Sequence, residues 1–304
     1  MYLSALIGKM VSHSLKFKSK LYPAFLLTPA ILVLAVVVLL PTLQAFLLSF
    51  QSLDFLRDSK PTFIWFQNYV QMLEDGSFWS AFGRTIIYTI GSVLGIVGFG
   101  LLSALLLNIS FPLRGVFRCV FLMPWVLPYA VAALAWSWLY DYQFGLINFV
   151  LNTLFKFPPL LWLGSSSTAL LALVIVSIWK ELPFAAIMLL ASLQSIPLDL
   201  YEAGAIDGAG AWKSFWHITL PGVLGVLSIV TLLEFIWAFK QFPLIYMMTG
   251  GGPAQATETL VIQTYKQAFV NFNLGYASTI GVVTLLVSSI FSIIYFKLLN
   301  RMER

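Results

Sequence analysis

Long apolar runs separated by short polar pieces set the pattern of this chain. Stretches free of Asp, Glu, Lys and Arg extend from Leu21 to Leu53, Thr85 to Leu113, Cys119 to Tyr140, Phe157 to Trp179 and Gln267 to Phe296. One further apolar run, Ile218 to Thr249, is interrupted only by Glu234 and Lys240. Each run reaches the roughly 20 residues that a helix needs to cross a bilayer. None alternates apolar and polar positions as a barrel strand must, whereas a helix satisfies its own backbone in lipid. The pattern predicts an all-α polytopic membrane protein with six transmembrane helices, at about 22–50, 84–109, 117–140, 168–194, 219–247 and 276–300. A 33-residue first run is too long for a signal-peptide core, so it is expected to be retained as a span.

Composition agrees: 60% of the 304 residues are hydrophobic, 10% are charged, and the mean hydropathy is +0.91. Six spans put both termini on one side. With the N-terminus inside, Lys9, Lys16, Lys18, Lys20, Arg114, Arg118, Lys213, Lys297, Arg301 and Arg304 fall in the cytoplasm, against Arg57, Lys60, Arg84, Lys156 and Lys266 outside. That asymmetry predicts an N-in, C-in topology with a basic cytoplasmic tail over 1–20 and one membrane domain over 21–304. It also accounts for the net charge of +5 without a nucleic-acid partner. The lone Cys119 is expected to be a buried, inert thiol. In the first outside segment, Trp65, Phe66, Tyr69, Phe78 and Trp79 suggest short amphipathic pieces at the membrane surface. Gly91, Gly95 and Gly98 form a small-residue row that lets a neighbouring helix approach.

Between the fourth and fifth runs the chain reads YEAGAIDGAGAWKSFWHITLP, Tyr201 to Pro221. Pro197 can open a helix there, Asp199 and Glu202 suit its first turns, and Gly208 can close it. A second short helix, AWKSFWHI, is expected to follow, with Trp212, Phe215, Trp216 and Ile218 on its apolar side. The stretch Gly208 to Ser214 ends in Lys-Ser like a phosphate loop, but Trp212 stands where the glycine before the lysine is required and no strand precedes it. Lys213 is therefore no nucleotide ligand.

The spacing Glu202-Ala203, Gly208, Ile218 and Leu220-Pro221 resembles the EAA motif of binding-protein-dependent ABC transporter permeases. The third small residue is Gly204 where that motif usually has alanine. The resemblance implies a cytoplasmic coupling loop over about 195–220 whose Glu202, Ala203, Gly204, Asp207 and Gly208 face a separate ATPase subunit. ATP and Mg are then bound by that partner, with no cofactor in this chain. A second stretch, MTGGGPAQATETLVIQTYKQAF from Met248 to Phe269, is similar to the maltose-type first permease subunit of the carbohydrate branch. Gly251, Gly252, Pro253, Thr257 and Thr259-Leu260 carry that likeness. It implies a heterodimer with a second permease, two ATPase subunits and an extracytoplasmic sugar-binding protein, in the cytoplasmic (inner) membrane of a prokaryote.

Ionisable residues inside the runs are costly in lipid, about 2.5 to 3.5 kcal/mol each on insertion scales, so Lys180, Glu181, Glu234 and Lys240 are expected to face a cavity or one another. At helical spacing Glu234, Trp237 and Gln241 share a face and Lys240 does not, while Lys180 and Phe184 share another. An acid, a ring face and an amide together suit a sugar. The family resemblance puts its in-membrane sugar site at Ile178, Lys180, Glu181, Phe184, Glu234, Trp237, Ala238 and Gln241. Charges, Ile178 and Ala238 there depart from the maltose pattern and leave a sugar, oligosaccharide, glycoside or polyol as the expected class. The alternatives are a proton-coupled secondary transporter, an ABC importer of a non-sugar solute such as glycerol phosphate, and a membrane enzyme. The enzyme lacks support: His13 and His217 have no paired ligand spacing and no metal set is evident.

Overall fold

The structure, a computed structural model, describes residues 26–54, 56 and 60–302, with side chains to 299. The basic tail, the expected start of the first span, Arg57 and Arg304 lie outside the described residues. The described residues are mostly helical. Helix α1 (Leu26–Leu48) is followed by a two-stranded antiparallel hairpin, β1 (Gln51–Ser52) and β2 (Thr62–Phe63), in which Gln51 pairs with Phe63. Then come α2 (Gln67–Glu74), α3 (Gly76–Asn108), α4 (Arg114–Val126), α5 (Tyr129–Leu139), α6 (Leu146–Phe155) and α7 (Ala169–Gln194). The remainder is α8 (Leu198–Ile206), α9 (Ala211–Phe239), α10 (Pro243–Thr249), α11 (Leu260–Phe269) and α12 (Leu274–Met302).

Among the described residues, α1, α3, α7, α9 and α12 are long and apolar enough to cross a membrane. A sixth crossing is made only if α4 and α5 count as one span bent by 96°. The break falls at Leu127-Pro128, where proline removes a backbone donor. The third apolar run is thus a broken helix, not the continuous one expected from its hydropathy.

The core is the pair α3 and α7, the most extensive helix packing in the molecule, with α9 laid against both. Small residues permit the approach. A Cβ on Gly91 would meet Val174 at 3.4 Å, one on Gly100 would meet Ala185 at 3.0 Å, and one on Gly95 would overlap Ile178. Gly98, in the same predicted row, faces open space. At the opposite extreme, the apolar window of α1 buries nothing, and that helix packs mainly against α12.

Three details depart from expectation. Helix α3 begins at Gly76, ahead of the charge-free run, because Asp75 caps it by accepting the Ser77 N–H at 2.8 Å. Phe78 is consequently a core residue within a long helix and does not belong to a surface belt. The segment AWKSFWHI is no separate helix: Ala211–Ser214 runs through a π-turn, Phe215–Thr219, directly into the fifth crossing. Cys119 is exposed on α4, on a side no other element covers, so it is not the buried thiol expected.

At the hairpin end the two halves of the chain are knitted together. The Asn68 amide donates to the carbonyls of Ser49 and Gln51 at 3.0 and 2.9 Å, and the Leu274 N–H donates to Leu53 O at 2.9 Å. The Tyr276 hydroxyl donates to Asp75 at 2.7 Å. Burial works against ionisation of Asp75, but the hydrogen bonds from Tyr276 and Ser77 outweigh it and hold the carboxyl below the usual carboxylate range.

Candidate substrate cavity and coupling turn

Helix α7 carries adjacent opposite charges deep in the bundle. Lys180 is 3% exposed and Glu181 5%. Neither is left without a partner. The Lys180 ammonium donates to the Trp125 carbonyl at 2.8 Å, lies 4.0 Å from Glu181 and sits 4.7 Å from the centre of the Tyr129 ring. The Tyr129 hydroxyl donates to Glu181 Oε1 at 2.6 Å. Trp125 is in the last turn of α4 and Tyr129 is the first residue of α5, so both partners come from the break in the third run.

That break opens a cavity of about 530 Å³. Trp125, Leu127, Pro128 and Tyr129 form one wall, Lys180 and Glu181 a second, and Trp237, Lys240 and Gln241 a third. Phe184 lies against two of these walls: its ring is 5.6 Å from that of Trp125, nearly parallel, and 5.1 Å from that of Trp237. The cavity therefore offers aromatic faces beside an ammonium, a carboxylate and an amide. Apolar ring faces and hydroxyl-binding groups in one space suit a carbohydrate.

Of the six predicted pathway residues, Lys180, Glu181, Trp237 and Gln241 reach the cavity and Phe184 supports it from behind. Glu234 is not in the lining. It is 1% exposed, and its Oε1 has no hydrogen-bond partner among the described residues. Extending helical numbering past Phe239 misplaced two neighbours. Helix α9 stops there, so Gln241 is not a helical continuation of the Glu234 face, and Lys240 turns into the same cavity. The residues missed in the sequence were Trp125 and Tyr129. The signal for them was the MPWVLPY stretch, in which two prolines bracket an aromatic within an apolar run.

The other candidate site is the α7–α9 connection. Helix α8 begins after Pro197, has Asp199 in its first turn, and ends in a two-bond closure. The Ala209 N–H donates to Gly204 O at 2.8 Å and the Gly208 N–H to Ala205 O at 3.1 Å. Gly208 takes φ +76°, the left-handed conformation that this closure requires and glycine adopts freely. Gly204 faces the start of the fifth crossing: a Cβ there would lie 3.1 Å from Ile218 Cδ1. Tyr201 shares a 2.9 Å hydrogen bond with Thr219, and the Ile196 side chain fills the space where a side chain on Gly222 would go. Helix α8 thus follows α7 after a short link and is held on one side to the start of α9, the two crossings that line the cavity. Its other side, with Leu198, Glu202, Ala203, Ile206 and Asp207, is exposed; Ile206 reaches 87%.

Comparison with known proteins gives the family. Residues 96–304 match the family described as "Binding-protein-dependent transport system inner membrane component". The sulfoquinovosyl glycerol transport system permease protein SmoG of Agrobacterium fabrum is 35% identical, over 92% of this chain and 91% of its own. The trehalose/maltose transport system permease protein MalF of Thermococcus litoralis is 36% identical, over 94% and 96%. Among solved structures, a bacterial ABC transporter involved in import of the acidic polysaccharide alginate superposes with TM-score 0.82 at 18% identity, over 95% of this chain and 98% of that one. The methionine transporter MetNI superposes less closely, at TM-score 0.53 over 78% of this chain. These relatives are transport permeases, not enzymes, and this chain is likewise a multi-pass transport component. It belongs to the family of binding-protein-dependent transport system inner membrane components, in its carbohydrate permease branch.

Proposed function

We propose that this chain is one permease subunit of an ATP-driven importer that moves a glycoside or small oligosaccharide across the cytoplasmic membrane of a prokaryote by alternating access. The observation that carries the reading is an exposed, glycine-terminated helix that joins the two crossings lining an aromatic, charged cavity and is hydrogen-bonded to the second of them. Glu202, Ala203, Gly204, Asp207 and Gly208 form or shape the cytoplasmic surface that receives an ATPase subunit. Lys180, Glu181, Phe184, Trp237 and Gln241 form the substrate pathway, and Glu234 stands behind it. The N-in, C-in topology follows from the distribution of Lys and Arg.

In this mechanism ATP and Mg are held by two ATPase subunits. Their closure pushes α8, and α7 and α9 move with it, changing the side from which the cavity is reached. A second permease subunit completes the pathway and an extracytoplasmic binding protein delivers the sugar. Named relatives that carry sulfoquinovosyl glycerol, trehalose or maltose, and diacetylchitobiose support a substrate of more than one unit.

The test is affinity purification of the chain from its native membrane in mild detergent, with identification of co-purifying chains and ATPase assays with and without candidate glycosides. The expected result is recovery of an ATPase and a second permease, with turnover that rises when the binding protein and its sugar are added. A chain recovered alone that moves substrate on a proton gradient refutes the reading.

A further inference from the structure

The broken third run brings two helix ends to the wall of the cavity, and the two charges of α7 each bond a residue at one of them. A helix C-terminus carries carbonyls without intrahelical donors and a partial negative charge, and an N-terminus carries the reverse. The Lys180 ammonium bonds the Trp125 backbone carbonyl at the C-terminal end of α4, and the Glu181 carboxylate accepts from the side-chain hydroxyl of Tyr129, the first residue of α5. Irregular backbone at membrane depth persists only where its polar groups are met by protein or by a water-filled cavity. Here both occur together, because the break is also a wall of the cavity.

We infer that Lys180 and Glu181 are positioning residues: together they staple the two arms of the broken third crossing and so set the shape of the cavity wall formed by Trp125 and Tyr129. Their first duty is to the backbone break, not to the substrate. Of the remaining polar groups of the lining, Lys240 has no ion pair among the described residues and is left for the ligand. The order of the charges also matters. Exchanging them keeps an ion pair but sets a carboxylate against the Trp125 carbonyl. In its transport consequence the proposal rests on the cavity being the substrate pathway; in its geometry it does not.

The experiment uses the assembled transporter in lipid nanodiscs, with Cys119→Ser and spin labels at the exposed positions 120 on α4 and 134 on α5. Label distances are recorded without substrate, binding protein or nucleotide, and uptake is measured in parallel. The expected result is one narrow distribution for the parent. It becomes displaced or broadened in Lys180→Met and in the exchange Lys180→Glu with Glu181→Lys, while Lys180→Arg and Glu181→Gln, which keep a donor and an acceptor, stay near the parent. Maximal uptake falls roughly ten- to hundredfold in Lys180→Met, the population change that accompanies loss of a charge-assisted hydrogen bond. Restoration of the parent distribution by the exchange overturns the proposal, since pairing alone then suffices. An unchanged distribution in Lys180→Met with only a raised KM also overturns it and makes Lys180 a substrate ligand. Failure of the pathway reading shows separately, as Trp237→Ala with unchanged uptake.

Discussion

The cavity and the coupling turn are both polar interruptions of an apolar chain, yet they treat their polar groups in opposite ways. In the cavity, the two charges of α7 are buried and each bonds a group of the chain's own broken crossing. In the turn, Glu202 and Asp207 stand exposed beside Ile206 with no ion pair among the described residues. The difference reflects solvent. Lipid supplies no partner at membrane depth, so Lys180 and Glu181 are met by the protein itself. A charge at the aqueous end can stay hydrated. Self-satisfied groups mark internal machinery, and exposed groups next to bare apolar side chains mark a contact surface.

The comparison breaks most sharply at the turn. Glu202→Lys with Ala203→Asp should abolish uptake and co-purification of the ATPase while the chain keeps its helical content and membrane insertion, measured by circular dichroism and fractionation. If ATPase recovery is unchanged, the exposed side is not the contact surface. Trp237→Ala comes next: uptake should fall about tenfold, the scale of one lost aromatic stack with its buried area, with the complex intact on gel filtration.

A smaller effect separates backbone from contact. A Cβ at Gly208 meets nothing within 4 Å, so Gly208→Ala tests the left-handed conformation alone and should weaken ATPase association several-fold, for a strain of about 1 kcal/mol. Gly204→Ala should do less, because Ile218 has only to shift by a few tenths of an ångström, and Ile218→Val should relieve it. The smallest effect concerns Asp75, whose carboxyl ionises below its usual range. Its contribution to stability is present above the ordinary carboxylate range and is lost as pH falls through the folded value. Asp75→Asn should therefore flatten the acid limb of thermal stability in detergent; an unchanged limb shows that the cap is energetically idle.

The turn was more legible in the sequence than the cavity, and the reason is locality. A helix closed by glycine and followed by a fixed return to the membrane is written in consecutive residues, so Glu202, Gly208 and Ile218 could be placed by spacing. The cavity gathers residues from three separated stretches. Lys180 and Trp237 could be suspected because charge and large aromatics stand out in apolar runs. Trp125 and Tyr129 could not, since hydropathy averages over Pro128 and reads a broken helix as a straight one. Lys240 was assigned to the wrong face for the same reason: periodicity carries no notice of where a helix stops. The six apolar runs were plain, but the start of α3 depended on the Asp75 cap, and the exposure of Cys119 on which neighbours α4 happens to lack.

The ties at the hairpin end bear on how the protein is made. Asp75 waits for Tyr276, 201 residues later; Ser77 for Gln263, 186 later; and Ser49 for Thr279, 230 later. At roughly 5 to 20 residues per second of synthesis, the first two crossings sit in the membrane for on the order of 10 to 40 seconds before their partners emerge. During that interval the Asp75 carboxylate has its bonds from Ser77 and the Ser49 carbonyl its bond from Asn68, but those from Tyr276 and Thr279 are not yet made. A ribosome that stalls before the sixth crossing therefore leaves a chain whose first third is only partly tied, a ready mark by which quality control can recognise it.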